Sequence, residues 1–243
     1  MLSDPGSGNA LGATMVEALT AALLEPPTPS TRAVVLSGTG RHFCTGAHLG
    51  ELAAGAAATF EQRLAEANHL GRLYAAVLRS PLLTVAAVHG SAFGGGAGLA
   101  AACDLVIADP AARIQFSEVR LGFIPALISV FLPRRVATSA LARLFLDPSP
   151  LSAADAVTAG LVDEIAADPL VRACERAEAA ARTSAATAVA ATKRLLLDLT
   201  LPDLEDRLAL AARRNAAQRG EDECQRGVAH FLSTRAFRDW LEP

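Results

Sequence analysis

The chain has 243 residues, 51% of them hydrophobic, and a net charge of −3 with acidic and basic residues interspersed. This length suits one large domain. No apolar run approaches the roughly 20 residues that a membrane-spanning helix needs, and the first residues lack the basic start and apolar core of a secretory signal. Lys193 is the only lysine among 22 basic residues, so no basic face for nucleic acid is indicated. We therefore expect a cytoplasmic protein that neither spans a membrane nor binds nucleic acid.

The first third of the chain alternates between helical and strand-like patterns. Apolar residues at helical spacing predict a helix over residues 10–24, which a group of prolines ends. The run RAVVLS, residues 32–37, predicts a buried strand that leads into the loop RHFCTGAHL. Residues 53–79 have the pattern of one long helix, which Ser80-Pro81 ends.

The centre of the chain combines strands with a run of glycines. Residues 82–89 predict a buried strand, and Gly94, Gly95 and Gly96 then open a short Ala-rich helix. A second strand over residues 113–116 ends next to Glu118. The first N–H groups of a helix have no intrahelical partner and can hold a partial negative charge. Such donors and one carboxylate are the minimum for stabilising an oxyanion and moving a proton.

The last part of the chain is mostly helical. Short strands are predicted at 104–107 and 161–165, and a capped helix begins near residues 151–155. From Pro169 onward the pattern is helical throughout. Short strands separated by helices, followed by helices only, predict an α/β core with a helical C-terminal appendage.

The glycine run has two other interpretations. Residues 96–101 match GxGxxA, a dinucleotide-binding pattern, with Glu118 in the place of a ribose-binding acid. Spacing argues against this, because the next strand begins only about five residues after the motif and a parallel crossover needs roughly a dozen. The glycines could also serve only a tight turn, and Glu118 could be an ordinary solvated or capping carboxylate.

The loop Phe43–His48 supplies a second possible N–H donor, because two glycine-containing loops at strand ends can share one oxygen. His48 is the histidine nearest to this site in the sequence and is a candidate catalytic auxiliary. No HExxH or GxSxG motif occurs. The four cysteines show no CxxC spacing and are interpreted as buried or incidental thiols: Cys44, Cys103, Cys174 and Cys224.

Several motifs in order resemble the crotonase superfamily, the enoyl-CoA hydratases and isomerases. They are NAL at 9–11, FCTGAHL at 43–49, HGSAFGGGAGLAAACDLVIA at 89–108, FSEVRLGFIPA at 116–126 and LSAADAVTAGLVDEI at 151–165. The resemblance implies a spiral of ββα units over residues 1–190. It also implies that residues 191–243 form a helical region for oligomerisation and for covering the active site. Such enzymes form trimers or dimers of trimers.

The resemblance also implies site residues. The N–H groups of Ala47 and Gly95 would form the oxyanion hole, Glu118 would be catalytic, and Gly94 and Gly98 would contact the substrate. Two features depart from the usual hydratase pattern. Gly98 stands where standard hydratases have a second glutamate, and His48 replaces the acid that usually follows Gly-Ala.

The overall pattern is similar to methylglutaconyl-type hydratases and to polyketide β-branching dehydratases, which also have glycine at the position of Gly98. We therefore expect a hydro-lyase for a branched acyl thioester, such as a 3-hydroxy-3-methylglutaryl or 3-methylglutaconyl group, on CoA or an acyl carrier protein. No cofactor or metal is expected. The alternatives are a Δ3,Δ2-enoyl isomerase that uses Glu118 alone, and a catalytically silent carrier-binding subunit.

Overall fold

The computed structural model describes residues 1–241. Its strands are short, with bounds β1 (Ala33–Ser37), β2 (Leu83–Val88), β3 (Ser91–Phe93), β4 (Leu105–Ala108), β5 (Arg113–Gln115), β6 (Leu151–Ser152) and β7 (Glu164–Ile165). The helices of the first two thirds are α1 (Ala13–Leu24), α2 (Leu49–Ala54), α3 (Phe60–Arg79), α4 (Gly95–Ala102), α5 (Ala126–Phe131), α6 (Thr138–Leu146) and α7 (Ala153–Thr158). Four helices follow: α8 (Pro169–Thr183), α9 (Ala186–Thr200), α10 (Leu204–Gln218) and α11 (Asp222–Thr234).

The strands form two sheets, and the chain passes repeatedly from one sheet to the other. One sheet is parallel with the order β1-β2-β4-β7, and the other has the order β3-β5-β6. β2 leads directly to β3, and β4 leads directly to β5, so each pair places one strand in each sheet. The loop after β1 follows the same path, because Cys44 forms a parallel bridge with Ala92 of β3. This repetition is the expected spiral of ββα units, and the fold prediction is confirmed.

The parallel sheet is covered on both faces, which explains its uninterrupted apolar strands. In β2, Val85 and Ala87 pack with Ala173 of α8. The alternate residues Ala86 and Val88 belong to the main core, which also contains Leu99 of α4. β2 is therefore held between helices on both faces. This packing fixes the position of the glycine run, which follows the C-terminal end of β2.

The long helix predicted for residues 53–79 is wrong at its N-terminal end. The structure has α2 (Leu49–Ala54), a turn, and then α3 (Phe60–Arg79). α3 begins at a capping box in which the Thr59 hydroxyl accepts from the Gln62 N–H and the Gln62 side chain accepts from the Thr59 N–H. Gly55 ends α2 as its C-cap residue, and the Thr59 cap decides where α3 begins.

The last two helices pack onto the first two thirds of the chain. α10 lies against α3 and α5, and α11 lies against α2 and the 3-10 turn Glu118–Leu121. α11 approaches this turn closely, because a β-carbon on Gly227 would lie 2.6 Å from the Leu121 carbonyl oxygen. The expected boundary at residue 190 falls inside α9.

Two further predictions can be compared with residues 1–241. No helix in this range has both the length and the apolar content needed to cross a membrane. The four cysteines are unpaired, and all but Cys174 are buried, as expected. Burial raises the pKa of the Cys44 thiol to about 12, so it stays protonated.

Candidate active site

The loop after β1 is fixed against β3 and the start of α4. The Phe43 N–H donates to the His89 carbonyl (2.9 Å) and the Phe93 N–H donates to the Cys44 carbonyl (3.0 Å). A β-carbon on Gly46, whose φ is 93°, would lie only 3.4 Å from the Gly95 nitrogen. The loop after β1 therefore contacts the glycine run at the start of α4. The sequence analysis predicted that these two loops would lie close enough to share one oxygen.

The peptide between Gly46 and Ala47 has a defined orientation. Its carbonyl accepts a hydrogen bond from the Leu11 N–H at 2.7 Å. In a trans peptide the N–H points opposite to the carbonyl, so the Ala47 N–H points away from Leu11. This N–H has no acceptor among residues 1–241.

The second loop turns sharply at Gly94, the residue before α4. Its φ of 47° and ψ of −121° suit only glycine, and its N–H donates to the Gln115 carbonyl at 2.8 Å. Gly95 is the first residue of α4, and its N–H has no intrahelical partner. Like that of Ala47, it finds no acceptor within the described part of the chain. Two unpaired main-chain donors thus lie on adjoining loops.

Glu118 places its carboxyl group beside this turn. The residue starts the 3-10 turn that follows β5. Its Oε1 lies 3.2 Å from where a β-carbon on Gly94 would be. Its Oε2 is buried and has no hydrogen-bond partner among residues 1–241. Loss of solvent around the carboxylate raises the pKa of Glu118 from 4.5 to about 7. Near neutral pH the group exists in both forms, which suits proton transfer.

Two side chains occupy the position next to Gly98. A β-carbon there would lie 2.7 Å from Cγ1 of Ile128 and 3.1 Å from the hydroxyl oxygen of Tyr74. A glutamate at this position would therefore displace both side chains. This packing is consistent with a site that works with one carboxylate. A contact of Gly98 with substrate stays a prediction.

Tyr74 is a site residue that the sequence analysis missed. It lies on α3, is fully buried, and donates from its hydroxyl to the Gly95 carbonyl at 3.0 Å. The one available signal was that it is the only tyrosine in the chain, on the apolar face of a helix. That signal does not distinguish a site residue from a core residue.

His48 has a local structural role. Its Nδ1 accepts a hydrogen bond from the Glu51 N–H at 3.1 Å and so caps α2. A catalytic role for His48 stays a prediction.

Neither a metal site nor a dinucleotide site is indicated. Within residues 1–241, no three His, Cys, Asp or Glu side chains are grouped so that they could hold a metal ion. The GxGxxA interpretation also fails structurally, because Gly96 lies inside α4 and packs directly on Cys44. The glycine fingerprint requires an open turn before the helix.

Comparison with known proteins identifies the family. The sequence model of the enoyl-CoA hydratase/isomerase family matches residues 1–241. The chain belongs to this family. Its members are enzymes of the crotonase superfamily, and the prediction of such an enzyme is confirmed.

Individual hydratases are similar over nearly the whole chain. A Thermus thermophilus protein, named provisionally as an enoyl-CoA hydratase, is 41% identical over 98% of this chain and 94% of its own length. The solved structure of an enoyl-CoA hydratase from Mycobacterium avium is 28% identical with a TM-score of 0.84, covering 98% of this chain and 90% of that one. A Bacillus subtilis structure, named provisionally as a polyketide biosynthesis enoyl-CoA hydratase, is 25% identical with a TM-score of 0.85, covering 97% and 92%.

Proposed function

We propose that this family member is a hydro-lyase that adds water to, or removes it from, a branched acyl thioester. The observation that supports it most is one arrangement of groups. The N–H groups of Ala47 and Gly95, unpaired within residues 1–241, lie on adjoining loops, and the buried carboxyl of Glu118 lies beside the Gly94 turn between β3 and α4. Oriented dipoles in a dry site stabilise a developing oxyanion, and a carboxyl with a pKa of about 7 can accept and return a proton.

In the proposed dehydration, the thioester oxygen binds the two N–H groups, and the Glu118 carboxylate takes the proton from the α-carbon. The electron pair of that C–H bond forms an enolate, whose charge rests on the bound oxygen. The enolate then expels the β-hydroxyl, which leaves as water with the proton from Glu118, while a C=C bond forms. Hydration is the reverse, and in both directions Glu118 begins and ends as a carboxylate.

The substrate class rests on the sequence pattern and on the comparisons. The chain resembles methylglutaconyl-type hydratases and polyketide β-branching dehydratases, and the Bacillus subtilis relative has a polyketide name. We infer a 3-hydroxy-3-methylglutaryl or 3-methylglutaconyl group, carried by CoA or by an acyl carrier protein. Incubation with both groups on both carriers, followed by mass spectrometry, tests this. Gain or loss of one water supports the proposal.

The second candidate function is a double-bond isomerase. The packing around Gly98 supports it, because it leaves no room for a second glutamate at that position. A shift of the double bond needs one base, which takes a proton from one carbon and returns it to another, and the structure offers one carboxylate. In the same incubation an isomerase would move the double bond without a change in mass. Binding of a carrier with neither change would contradict both enzymatic proposals and support the silent subunit.

The proposed mechanism predicts the pH dependence of catalysis. The free enzyme must hold Glu118 as a carboxylate, so kcat/KM should fall as pH drops through about 7 and level off above it. Initial rates at low substrate concentration between pH 5 and 9 measure this. A profile that is flat across neutral pH, or that falls above pH 7, would contradict Glu118 as the base.

We also propose that the chain forms a trimer or a dimer of trimers. Large apolar side chains are exposed on two C-terminal helices: Leu195, Leu196 and Leu199 of α9 and Leu210 of α10. Contiguous exposed apolar surface is typical of interaction sites.

A further inference from the structure

We propose that Tyr74 is a positioning residue of this site, whose hydroxyl fixes the Gly95 main chain so that the Gly95 N–H stays directed at the thioester oxygen. This inference rests on the proposed function, because it assigns a task within that mechanism. Tyr74 lies on α3, far from the two loops in sequence, and no motif of the family resemblance includes it.

The buried hydroxyl of Tyr74 has a single hydrogen-bond partner within residues 1–241. The side chain is fully buried, and its ring packs against Phe131 with a centroid distance of 5.1 Å. The hydroxyl makes one hydrogen bond there, to the Gly95 carbonyl at 3.0 Å. A buried tyrosine hydroxyl that reaches a main-chain carbonyl fixes both partners.

The hydrogen bond from Tyr74 to Gly95 matters because the local sequence restricts the backbone angles only weakly. Gly94, Gly95 and Gly96 are consecutive, and glycine has the widest choice of backbone angles. On one side of the Gly95 N–H, the Gly94 N–H is held by the Gln115 carbonyl at 2.8 Å. On the other side, the Gly95 carbonyl is held by Tyr74. The peptide that carries the unpaired N–H is itself held in α4, because the Gly94 carbonyl accepts from the Gly98 N–H at 3.0 Å. Hydrogen bonds to two other elements, β5 and α3, hold the peptides on either side of it.

Tyr74 remains a donor over the working pH range. Burial, followed by the charge of Glu118, raises its pKa well above the ordinary value. The hydroxyl therefore does not compete with Glu118 as a base. The same oxygen lies 3.1 Å from the β-carbon position of Gly98, so it also occupies space that a second carboxylate would need.

Tyr74→Phe tests the inference, since it removes the oxygen and keeps the ring. With the thioester identified by mass spectrometry, kcat should fall about 10- to 100-fold while KM changes by less than about threefold, because a misdirected donor costs transition-state stabilisation. Acetoacetyl-CoA provides a second readout, since its bound enolate absorbs in the near ultraviolet. The enolate signal should drop in Tyr74→Phe at saturating ligand.

The control separates positioning from stability. Val162→Ala truncates a buried side chain in the segment between α7 and β7. It should lower Tm without changing kcat or the enolate signal. If Tyr74→Phe keeps full kcat and enolate signal while Glu118→Gln is inactive, the inference is overturned and the proposed function stands. If Glu118→Gln is active, the proposed function itself has failed.

Fluorotyrosine labelling gives a measurement that does not depend on the folding of a variant. Because the chain has a single tyrosine, such labelling changes Tyr74 alone. Its one ¹⁹F resonance should shift when acetoacetyl-CoA binds, since the hydroxyl is bonded to the residue that binds the thioester oxygen. An unchanged resonance at saturation would overturn the inference.

Discussion

Glu118→Gln is expected to abolish most turnover and, above neutral pH, to stabilise the protein. Glutamine keeps the shape of the side chain but cannot accept a proton. General acid–base catalysis typically contributes 10²–10⁴-fold, so kcat should fall by about that factor with the substrate identified by mass spectrometry. Substrate binding should change little, because the N–H groups of Ala47 and Gly95 are untouched.

The stability effect follows from the same burial. The folded protein raises the pKa of Glu118 from 4.5 to about 7, so the folded state binds this proton more tightly than the unfolded state. The stabilisation from the bound proton is complete below pH 4.5 and is lost as pH rises to about 7. At pH 8 the wild type therefore holds an unfavourable buried charge, which Glu118→Gln removes, for a gain of up to about 3 kcal/mol.

Denaturant unfolding of both proteins at pH 5 and pH 8 measures this gain. The difference between variant and wild type should be larger at pH 8. Glu17→Gln is a matched control for the loss of one carboxylate, because Glu17 is exposed on α1. Equal stability differences for Glu118→Gln at both pH values would show that this carboxyl is not desolvated.

The sequence predicted those parts of the site that are local in the chain. Gly94 and Gly95 stand between a buried strand and a helix, and glycines at such a junction indicate a sharp turn with free N–H groups. Glu118 follows a strand that pairs in parallel with β3, so its proximity to the turn follows from the sheet order. That order was not predicted, because periodicity alone gives no strand order.

The parts that sequence could not predict depend on contacts between distant segments. Tyr74 reaches Gly95 only because α3 packs against α4, and neither helix encodes that packing locally. β3 has three residues and contains no β-branched residue, so it has no strand pattern, and its pairing with β5 defines it. The packing of Ile128 from α5 against Gly98 is likewise a contact between segments distant in the chain.

Gly94→Ala is expected to cause the second large loss of activity, through the backbone. Gly94 has a φ of 47° with a ψ of −121°, which alanine adopts only under strain of about 1–3 kcal/mol. The new methyl group would also lie 3.2 Å from Oε1 of Glu118. If the backbone relaxes, the Gly95 N–H turns away from the oxyanion position. If it does not, the carboxyl is displaced from the carbons on which it acts.

Either response removes a group from the proposed mechanism, so kcat should fall by about 10²-fold or more. Tm should fall by about 2–4 °C per kcal/mol of strain. Gly71→Ala is the matched control, since Gly71 is a buried helical glycine of α3 whose β-carbon would lie at an ordinary 3.5 Å from Leu127. It should keep full activity and gain slightly in stability. If Gly94→Ala were as active as Gly71→Ala, the turn at Gly94 could not be what directs the Gly95 N–H, and the proposed oxyanion hole would need another donor.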